Sequence, residues 1–236
     1  MEQAFLSEVE LYYSINLSAG TIEIDGEEFH HIVDVMRHNC GDELYVTDGK
    51  GKIYKTGIDE IKKKSLITKI VSTTEYENIL SNFIFCIPRL KHADRFEFAI
   101  EKCVELGITN FIVFESERTI AKGEKLERWQ KIATGAMKQS LRAYLPKIQY
   151  KKFLSEILKM EGKKIIFDQN SSQSFSSFTD DCKLTTENFF LLFGPEGGFS
   201  NEEFRMMNEE LKLKLTGNRL RSETAIISAA SILSQS

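Results

Sequence analysis

Two glycine-containing turns hold the densest chemistry in this sequence. The first is Phe193-Gly194-Pro195-Glu196-Gly197-Gly198-Phe199-Ser200, set between the apolar run 189–193 and the capping spacing Ser200-x-x-Glu203. Glycines in such a place let backbone approach a ligand, and a following helix offers unpaired N–H groups. An ordinary strand-to-helix turn needs the same residues, so both readings stay open. The run lacks the Gly-Lys-Ser/Thr of a P-loop and the Gly-x-Gly-x-x-Gly of a dinucleotide fold. The second turn is Leu215-Thr216-Gly217-Asn218-Arg219-Leu220-Arg221-Ser222-Glu223-Thr224-Ala225. Arginines at the ligand edge of a sheet suit a phosphate, a carboxylate or a base edge. Solvated charge with Ser222 as a helix N-cap is the competing reading.

A third feature runs from Arg128-Trp129-Gln130-Lys131-Ile132 to Lys138-Gln139-Ser140-Leu141-Arg142. Helical spacing puts Trp129, Ile132, Ala133, Ala136 and Met137 on one apolar stripe, suited to a core or a subunit interface. Lys131, Lys138 and Arg142 fall off it and could face a polyanion. His30, His31 and His38 lie on or beside one short helix without a carboxylate or thiolate partner at ligand spacing, so no metal is expected. Cys40, Cys86, Cys103 and Cys182 are widely spaced and form no Cys-x-x-Cys. Reduced thiols are expected.

The elements that position these residues change character along the chain. Strands are expected over 21–25, 43–48, 52–58 and 65–72, with a hairpin at Asp48-Gly49-Lys50-Gly51. A helix fits 27–37, stopped near Gly41. The polar stretch 73–82 reads as a linker. Strands at 82–87, 110–114, 164–168, 189–193 and 212–216 then alternate with helices. Asp94-x-x-Glu97 has the spacing of a capping box opening a helix to Leu106; the helix after Ser200 is expected to reach Leu211, and the last to span 222–234. Alternation of this kind argues an α/β domain with a mainly parallel sheet.

The 236 residues carry 31 Lys+Arg and 35 Asp+Glu, are 42% hydrophobic, and include only 3 Pro, which excludes disordered and collagen-like classes. No apolar run approaches the ~20 residues that span a bilayer, and the first residues lack the basic start of a signal peptide. Charge is uneven: residues 1–80 carry 8 basic and 15 acidic groups, whereas 89–152 carry 14 and 8. A basic middle on an acidic chain fits a polyanion footprint or solvated helix faces.

In order, these segments resemble the small-subunit ribosomal RNA uridine-N3 methyltransferase family (RsmE) of the SPOUT superfamily. The matching residues are His30-His31-Ile32-Val33-Asp34-Val35-Met36-Arg37 with Gly41-Asp42; the Asp48 hairpin; Lys91 with Asp94-Arg95 and Glu97; Lys102-Cys103-Val104-Glu105-Leu106-Gly107; Ser116-Glu117-Arg118; Arg128-Trp129; Gln139-Ser140 with Arg142 and Pro146; and both glycine turns. Met36 stands where leucine is usual and Ser222 where threonine is usual. No arginine precedes Arg37, although the family usually has one near its start.

The resemblance implies an α/β fold class with a PUA-like β-barrel RNA-binding domain over 1–73 and a SPOUT methyltransferase domain over 82–236 that ends in a trefoil knot. It implies S-adenosyl-L-methionine as cofactor, held by Asp168, Phe193, Gly194, Glu196, Gly197, Gly198, Leu215, Gly217, Leu220, Arg221 and Thr224. It implies Arg221, Glu196 and Glu223 as the catalytic set and Arg37, Lys91, Arg95, Arg118, Gln139 and Arg142 as RNA contacts. The expected reaction is methylation of N3 of a uridine in 16S rRNA of the small ribosomal subunit, by a cytoplasmic homodimer without metal or membrane. The alternatives are a SPOUT enzyme acting on another RNA such as tRNA, and a non-catalytic RNA-binding protein.

Overall fold

The computed structural model describes residues 9–178, 187–208 and 210–235. They form two units: one runs up to Asn78 and includes Met137–Leu145, and the other comprises Ile79–Ala136 and the chain from Pro146. Cys182 lies outside the described residues, and Cys40, Cys86 and Cys103 are free thiols. Among the described residues no helix is long and apolar enough to cross a membrane.

The first unit is one six-stranded sheet: β1 (Leu11–Tyr13), β2 (Asn16–Ser18), β3 (Thr21–Asp25), β4 (Glu43–Thr47), β5 (Lys52–Ile61) and β6 (Ser65–Glu75). Its order is β1-β4-β5-β6-β3-β2. The two outermost strands, β1 and β2, are separated in the chain only by Ser14 and Ile15. Consecutive Cα atoms lie ~3.8 Å apart, so the two edges sit close together and the sheet curls back on itself. Period-two alternation in β3 turns Ile22 and Ile24 inward, where they pack with Tyr12, Ile32, Val46 and Leu66.

The short helix Gly26–His30 widens into a π-turn, His31–Val35. It ends earlier than the spacing suggested. Arg37, not Gly41, takes the left-handed conformation that closes it, at φ 61°, and the His38 N–H reaches back to the Ile32 carbonyl at 3.1 Å. Asp42 then draws the chain away by accepting the Asn39 N–H at 2.9 Å.

Residues 137–145 are sewn into this unit at the Asp48 hairpin. The Gly51 N–H donates to the Ala143 carbonyl, and the Leu145 N–H donates to Gly49. The Thr47 hydroxyl donates to the Ala143 carbonyl and the Tyr144 hydroxyl to Tyr76. A Cβ on Gly51 would lie 2.4 Å from the Tyr144 hydroxyl oxygen, so only glycine allows this approach.

The second unit holds β7 (Phe83–Pro88), β8 (Asn110–Phe114), β9 (Lys147–Lys151), β10 (Lys163–Phe167), β11 (Phe189–Leu192) and β12 (Leu211–Leu213). Every pairing is parallel, in the order β12-β10-β11-β7-β8-β9. The central strands read Phe-Ile-Phe-Cys-Ile-Pro and Phe-Phe-Leu-Leu without alternation, as both faces are covered. Helices Ala93–Glu105, Leu126–Gln139, Leu154–Leu158, Asn201–Met206 and Ser222–Gln235 complete the unit's main elements.

Two local expectations change, and one that was left open is decided. The helix Ala93–Glu105 starts after His92 with no side-chain cap, and Glu97 instead takes Arg128 in a two-pronged pair at 2.6 and 2.8 Å. The helix after Ser200 stops at Met206, five residues short. The Trp129 stripe is core rather than interface: Trp129, Ala133 and Met137 have no exposed surface, and the Trp129 ring packs against Phe96 with centroids 5.1 Å apart.

Candidate functional site

Parallel strands place all their carboxyl ends on one edge, and in such sheets ligands gather where the strand order reverses. Here the chain runs β7, β8, β9 to one side and then returns to lay β10, β11 and β12 on the other, so the reversal lies between β7 and β11. A cleft of about 710 Å3 opens at that edge. Its walls come from the segments after β10 (Asp168, Gln169), β11 (Phe193 to Glu196, Gly198, Phe199) and β12 (Leu215, Thr216, Asn218 to Glu223), with Arg95 joining from the helix after β7.

The walls combine aromatic faces, open backbone and charge. Phe167 and Phe193 stack at 4.9 Å between centroids, and Phe199 meets Phe204 edge-on at 5.8 Å. Gly198 adopts φ 68°, a left-handed backbone that disfavours any side chain. The Asp168 carboxylate accepts the Asn170 N–H at 2.9 Å. Glu196 accepts the Lys91 N–H at 2.9 Å through Oε1. Glu223, whose side chain is 13% exposed, faces Arg95 at 3.6 Å. Arg221 is exposed, and its guanidinium makes no hydrogen bond or ion pair among the described residues.

Ser222 does not cap its helix. The Ala225 N–H goes to the Arg221 carbonyl at 2.9 Å, while the Ser222 hydroxyl donates to the Gly194 carbonyl at 2.7 Å. The helix after the first glycine turn spends the Glu203 N–H, and the Ser200 N–H before it, locally. Ser200 Oγ accepts the Glu203 N–H, and the Glu203 carboxylate accepts the Ser200 N–H, a reciprocal capping box.

Glu203 does more than cap. At 4% exposure it also accepts from the Ser116 hydroxyl at 2.9 Å and the Glu117 N–H at 3.0 Å. Next to it, Arg118 Nη1 donates to the Gly197 carbonyl at 3.1 Å. The far end of this loop hangs on Glu115, which accepts from Tyr150 and from the Gly123 N–H, both at 2.6 Å, with Lys122 at 3.4 Å. Burial works against charge on Glu115, but those donors outweigh it and hold its carboxyl below the usual range. Burial and then Glu115 push the Tyr150 hydroxyl up to about 12.

Of the residues expected at a cofactor site, Asp168, Phe193, Gly194, Glu196, Gly198, Leu215, Leu220 and Arg221 line the cleft together with Glu223. Gly197, Gly217 and Thr224 do not. Gly197 faces outward against Arg118, where a Cβ would stand 3.3 Å from the Arg118 Cβ. Among the expected RNA contacts, Arg95 sits on the cleft, while Lys91 and Arg118 bracket the glycine turn. Arg37, Gln139 and Arg142 are exposed residues of the first unit. Sequence reasoning did not name Phe167, Phe199 or Phe204 as wall residues and pointed to Arg219 only as one of the second turn's arginines; Phe199 stands in the first turn, Phe204 in the helix after it, and Phe167 is the last residue of β10, an expected strand.

The model of the RNA methyltransferase domain matches residues 80–234, and that of the RNA methyltransferase PUA domain matches 24–71. A ribosomal RNA small subunit methyltransferase E of Bacillus subtilis (strain 168) is 29% identical over 92% of this chain and 90% of its own length. One of the same name from Mesomycoplasma hyopneumoniae (strain 232) is 32% identical over 70% of this chain and 73% of its own. A methyltransferase of Legionella pneumophila, solved with its bound cofactor SAM, is 26% identical, covers 97% of this chain and 98% of its own, and superposes with a TM-score of 0.82. The chain belongs to the RNA methyltransferase family, built from a PUA domain and an RNA methyltransferase domain.

Proposed function

We propose that this chain methylates N3 of a uridine in the 16S rRNA of the small ribosomal subunit, using S-adenosyl-L-methionine. The observation that carries the reading is the cleft at the reversal of the parallel sheet, walled by the glycine turn after β11 and the arginine-bearing turn before the last helix. The cofactor fits what is there. The phenylalanine rings and Leu215 and Leu220 suit an adenine face, the open backbone at Gly194 and Gly198 allows close approach, and the carboxylates of Asp168 and Glu196 suit hydroxyl and ammonium groups. When bound, S-adenosylmethionine supplies an electrophilic methyl on sulfur.

The protein's part is to make N3 a nucleophile. That nitrogen carries a proton, and negative charge spreads onto the neighbouring carbonyl oxygens as the proton leaves. Arg219 and Arg221 are both cations of the cleft wall with no carboxylate partner among the described residues; Arg221, next to the Ser222 that ties the last helix to the Gly194 turn, is the one whose fork is assigned to those oxygens. Glu223 is engaged by Arg95 and serves to orient it. Glu196 uses Oε1 for the Lys91 N–H and keeps Oε2 to receive the proton. The uridine must be unpaired, because pairing buries N3.

The rest of the reading follows the same lines. The domain assigned to residues 1–73, described from residue 9 onward, is read as the RNA-binding barrel, with Arg37, Gln139 and Arg142 on its unit. The segments after β10 and β12 pair at Ser174 and Lys214, and Ser222 ties the last helix to the Gly194 turn; both support a C-terminal trefoil knot. Ile227 and Ile232 of the last helix are only half-buried, which supports a homodimer, and an rRNA substrate places its work in the cytoplasm. Incubating the protein with cofactor and either small-subunit particles or tRNA, then mapping reverse-transcription stops, tests the proposal. A cofactor-dependent stop at one 16S uridine is expected, because an N3 methyl blocks base pairing. Modification of tRNA alone, or of no RNA, would overturn it.

A further inference from the structure

We infer that Arg118 couples the RNA substrate to the cofactor turn, donating at once to the Gly197 carbonyl and to an RNA backbone phosphate. The inference rests on the cleft being the S-adenosylmethionine site and goes beyond it by naming the residue through which RNA is felt there.

Arg118 springs from a fixed base. The Ser116 N–H donates to Thr119 Oγ1 and the Thr119 N–H returns to the Ser116 carbonyl, both at 3.0 Å. The buried Glu203 carboxylate then clamps Ser116 and Glu117 to the start of the helix Asn201–Met206. From that base the arginine side chain lies along Gly197, where the missing Cβ makes room, and Nη1 takes the Gly197 carbonyl at 3.1 Å. A guanidinium carries five N–H donors, so one carbonyl leaves most of the fork unspent. The side chain is exposed, and no carboxylate pairs with it among the described residues. Arg128, by contrast, has its fork filled by Glu97.

On the other side of the same turn, the Lys91 backbone holds Glu196 while its residue stays exposed. The turn is thus gripped on both flanks by residues with cationic heads at the surface, in the basic stretch of the chain. A planar fork matches a phosphate in two-pronged fashion, which an ammonium does not. A phosphate holding the outer edge of Arg118 would restrain Gly197 from behind. Cofactor would then lose less loop freedom on binding, and by linkage the tightening is mutual.

The test is calorimetric, with S-adenosylhomocysteine as an unreactive probe, with and without a saturating small-subunit rRNA fragment. In the wild type, RNA is expected to tighten the probe on the order of fivefold or more. In Arg118→Ala that ratio should fall to one, whatever its RNA-free affinity. Arg118→Lys keeps the charge and loses the fork, so its ratio should fall too while RNA affinity is largely retained. Melting temperatures check that both variants fold. A wild-type ratio of one, or variants that keep the wild-type ratio, would overturn the coupling, including the case where probe affinity drops equally with and without RNA. A wild type that binds no probe would instead bring down the reading of the cleft itself.

Discussion

The Ser222 hydroxyl donates to the Gly194 carbonyl at 2.7 Å, binding the turn after β11 to the first residue of the last helix. Both halves of the cleft wall are thereby set by one hydrogen bond between residues 28 positions apart. Ser222→Ala should loosen the wall without opening a large cavity. A net loss of ~1 kcal/mol is the usual scale for such a bond, which corresponds to about fivefold weaker cofactor binding if the looseness is felt there. Ser222→Thr keeps the hydroxyl and should restore wild-type affinity. Titration calorimetry on the pair checks this; equal affinity in the alanine and threonine variants would leave the bond without a role in the site.

Gly197 and Gly198 are neighbours with different constraints. Gly198 has open space around its Cβ position but sits at φ 68°, so Gly198→Ala should lose ~1–2 kcal/mol through the backbone alone. At Gly197 the conflict is with the Arg118 side chain at 3.3 Å, and Gly197→Ala should disturb Arg118 rather than intrude on the cleft. Chemical denaturation of the two variants, together with an Arg118→Gly background that removes the contacting Cβ, separates them. The second penalty should shrink in that background and the first should not.

Much of the scaffold was legible because its signals are local. The alternation of Thr21–Asp25 and the apolar block Asn110–Phe114 mark those strands within their observed bounds. Both glycine turns fall where strands meet helices, which drew attention to the right sheet edge. β1 and β2 were missed because three residues are too few to show a period. β9 does alternate, as Lys-Ile-Gln-Tyr-Lys, and was overlooked because it is polar and follows Pro146. Contacts between distant segments left no trace in the spacing. Ser200-x-x-Glu203 announced a cap, and it is one, yet nothing local told that Glu203 also holds Ser116, 87 positions away. Residues 137–145 read as the end of a helix and its exit, but the glycines that admit Tyr144 and Leu145 lie in a hairpin of the same unit, more than 90 positions earlier in the chain.

Glu203 therefore warrants a harsher outcome than an ordinary cap. Glu203→Ala would leave the Ser116 hydroxyl and the Glu117 and Ser200 N–H groups without their acceptor in a site that is 4% exposed. Orphaned buried donors lose ~1–3 kcal/mol each, so a destabilisation of at least ~3 kcal/mol is expected. Hydrogen exchange should show Glu117 losing protection first. A loss below ~1 kcal/mol, the scale of a simple cap, would show that the Ser116 contact contributes nothing.

The Glu115 anchor makes the loop sensitive to acid. Its carboxyl is held below the usual range in the folded chain, so its contribution is complete above the unfolded value of ~4.3 and is lost as pH falls through the folded one. The Tyr150 hydroxyl, pushed up to about 12, stays a donor throughout that window. Amide exchange at Gly123, whose N–H is bonded to Glu115, should therefore speed up below pH ~4 relative to the sheet. Glu115→Gln should flatten that response. An unchanged acid profile in the variant would move the sensitivity elsewhere.

Arg221 carries the sharpest claim about the reaction. Its carbonyl is fixed by the Ala225 N–H at 2.9 Å, so the backbone position does not depend on the side chain. Its guanidinium lines the cleft without a carboxylate partner among the described residues, because the nearby Glu223 is taken by Arg95 at 3.6 Å. A purely structural role would need a partner to hold, and none is there among the described residues. An arginine kept unpaired at the wall is suited to charge that appears only as the uridine proton leaves, which makes it a stabiliser of the transition state more than of the bound cofactor. Arg221→Ala should then lower kcat on the order of 100-fold, ~2.7 kcal/mol, while cofactor affinity and Tm change little. Arg221→Lys keeps a point charge without the fork and should recover only part of the loss. Turnover near wild type in the alanine variant would remove Arg221 from the reaction. A matching fall in Tm and cofactor affinity would assign it to the architecture of the turn instead.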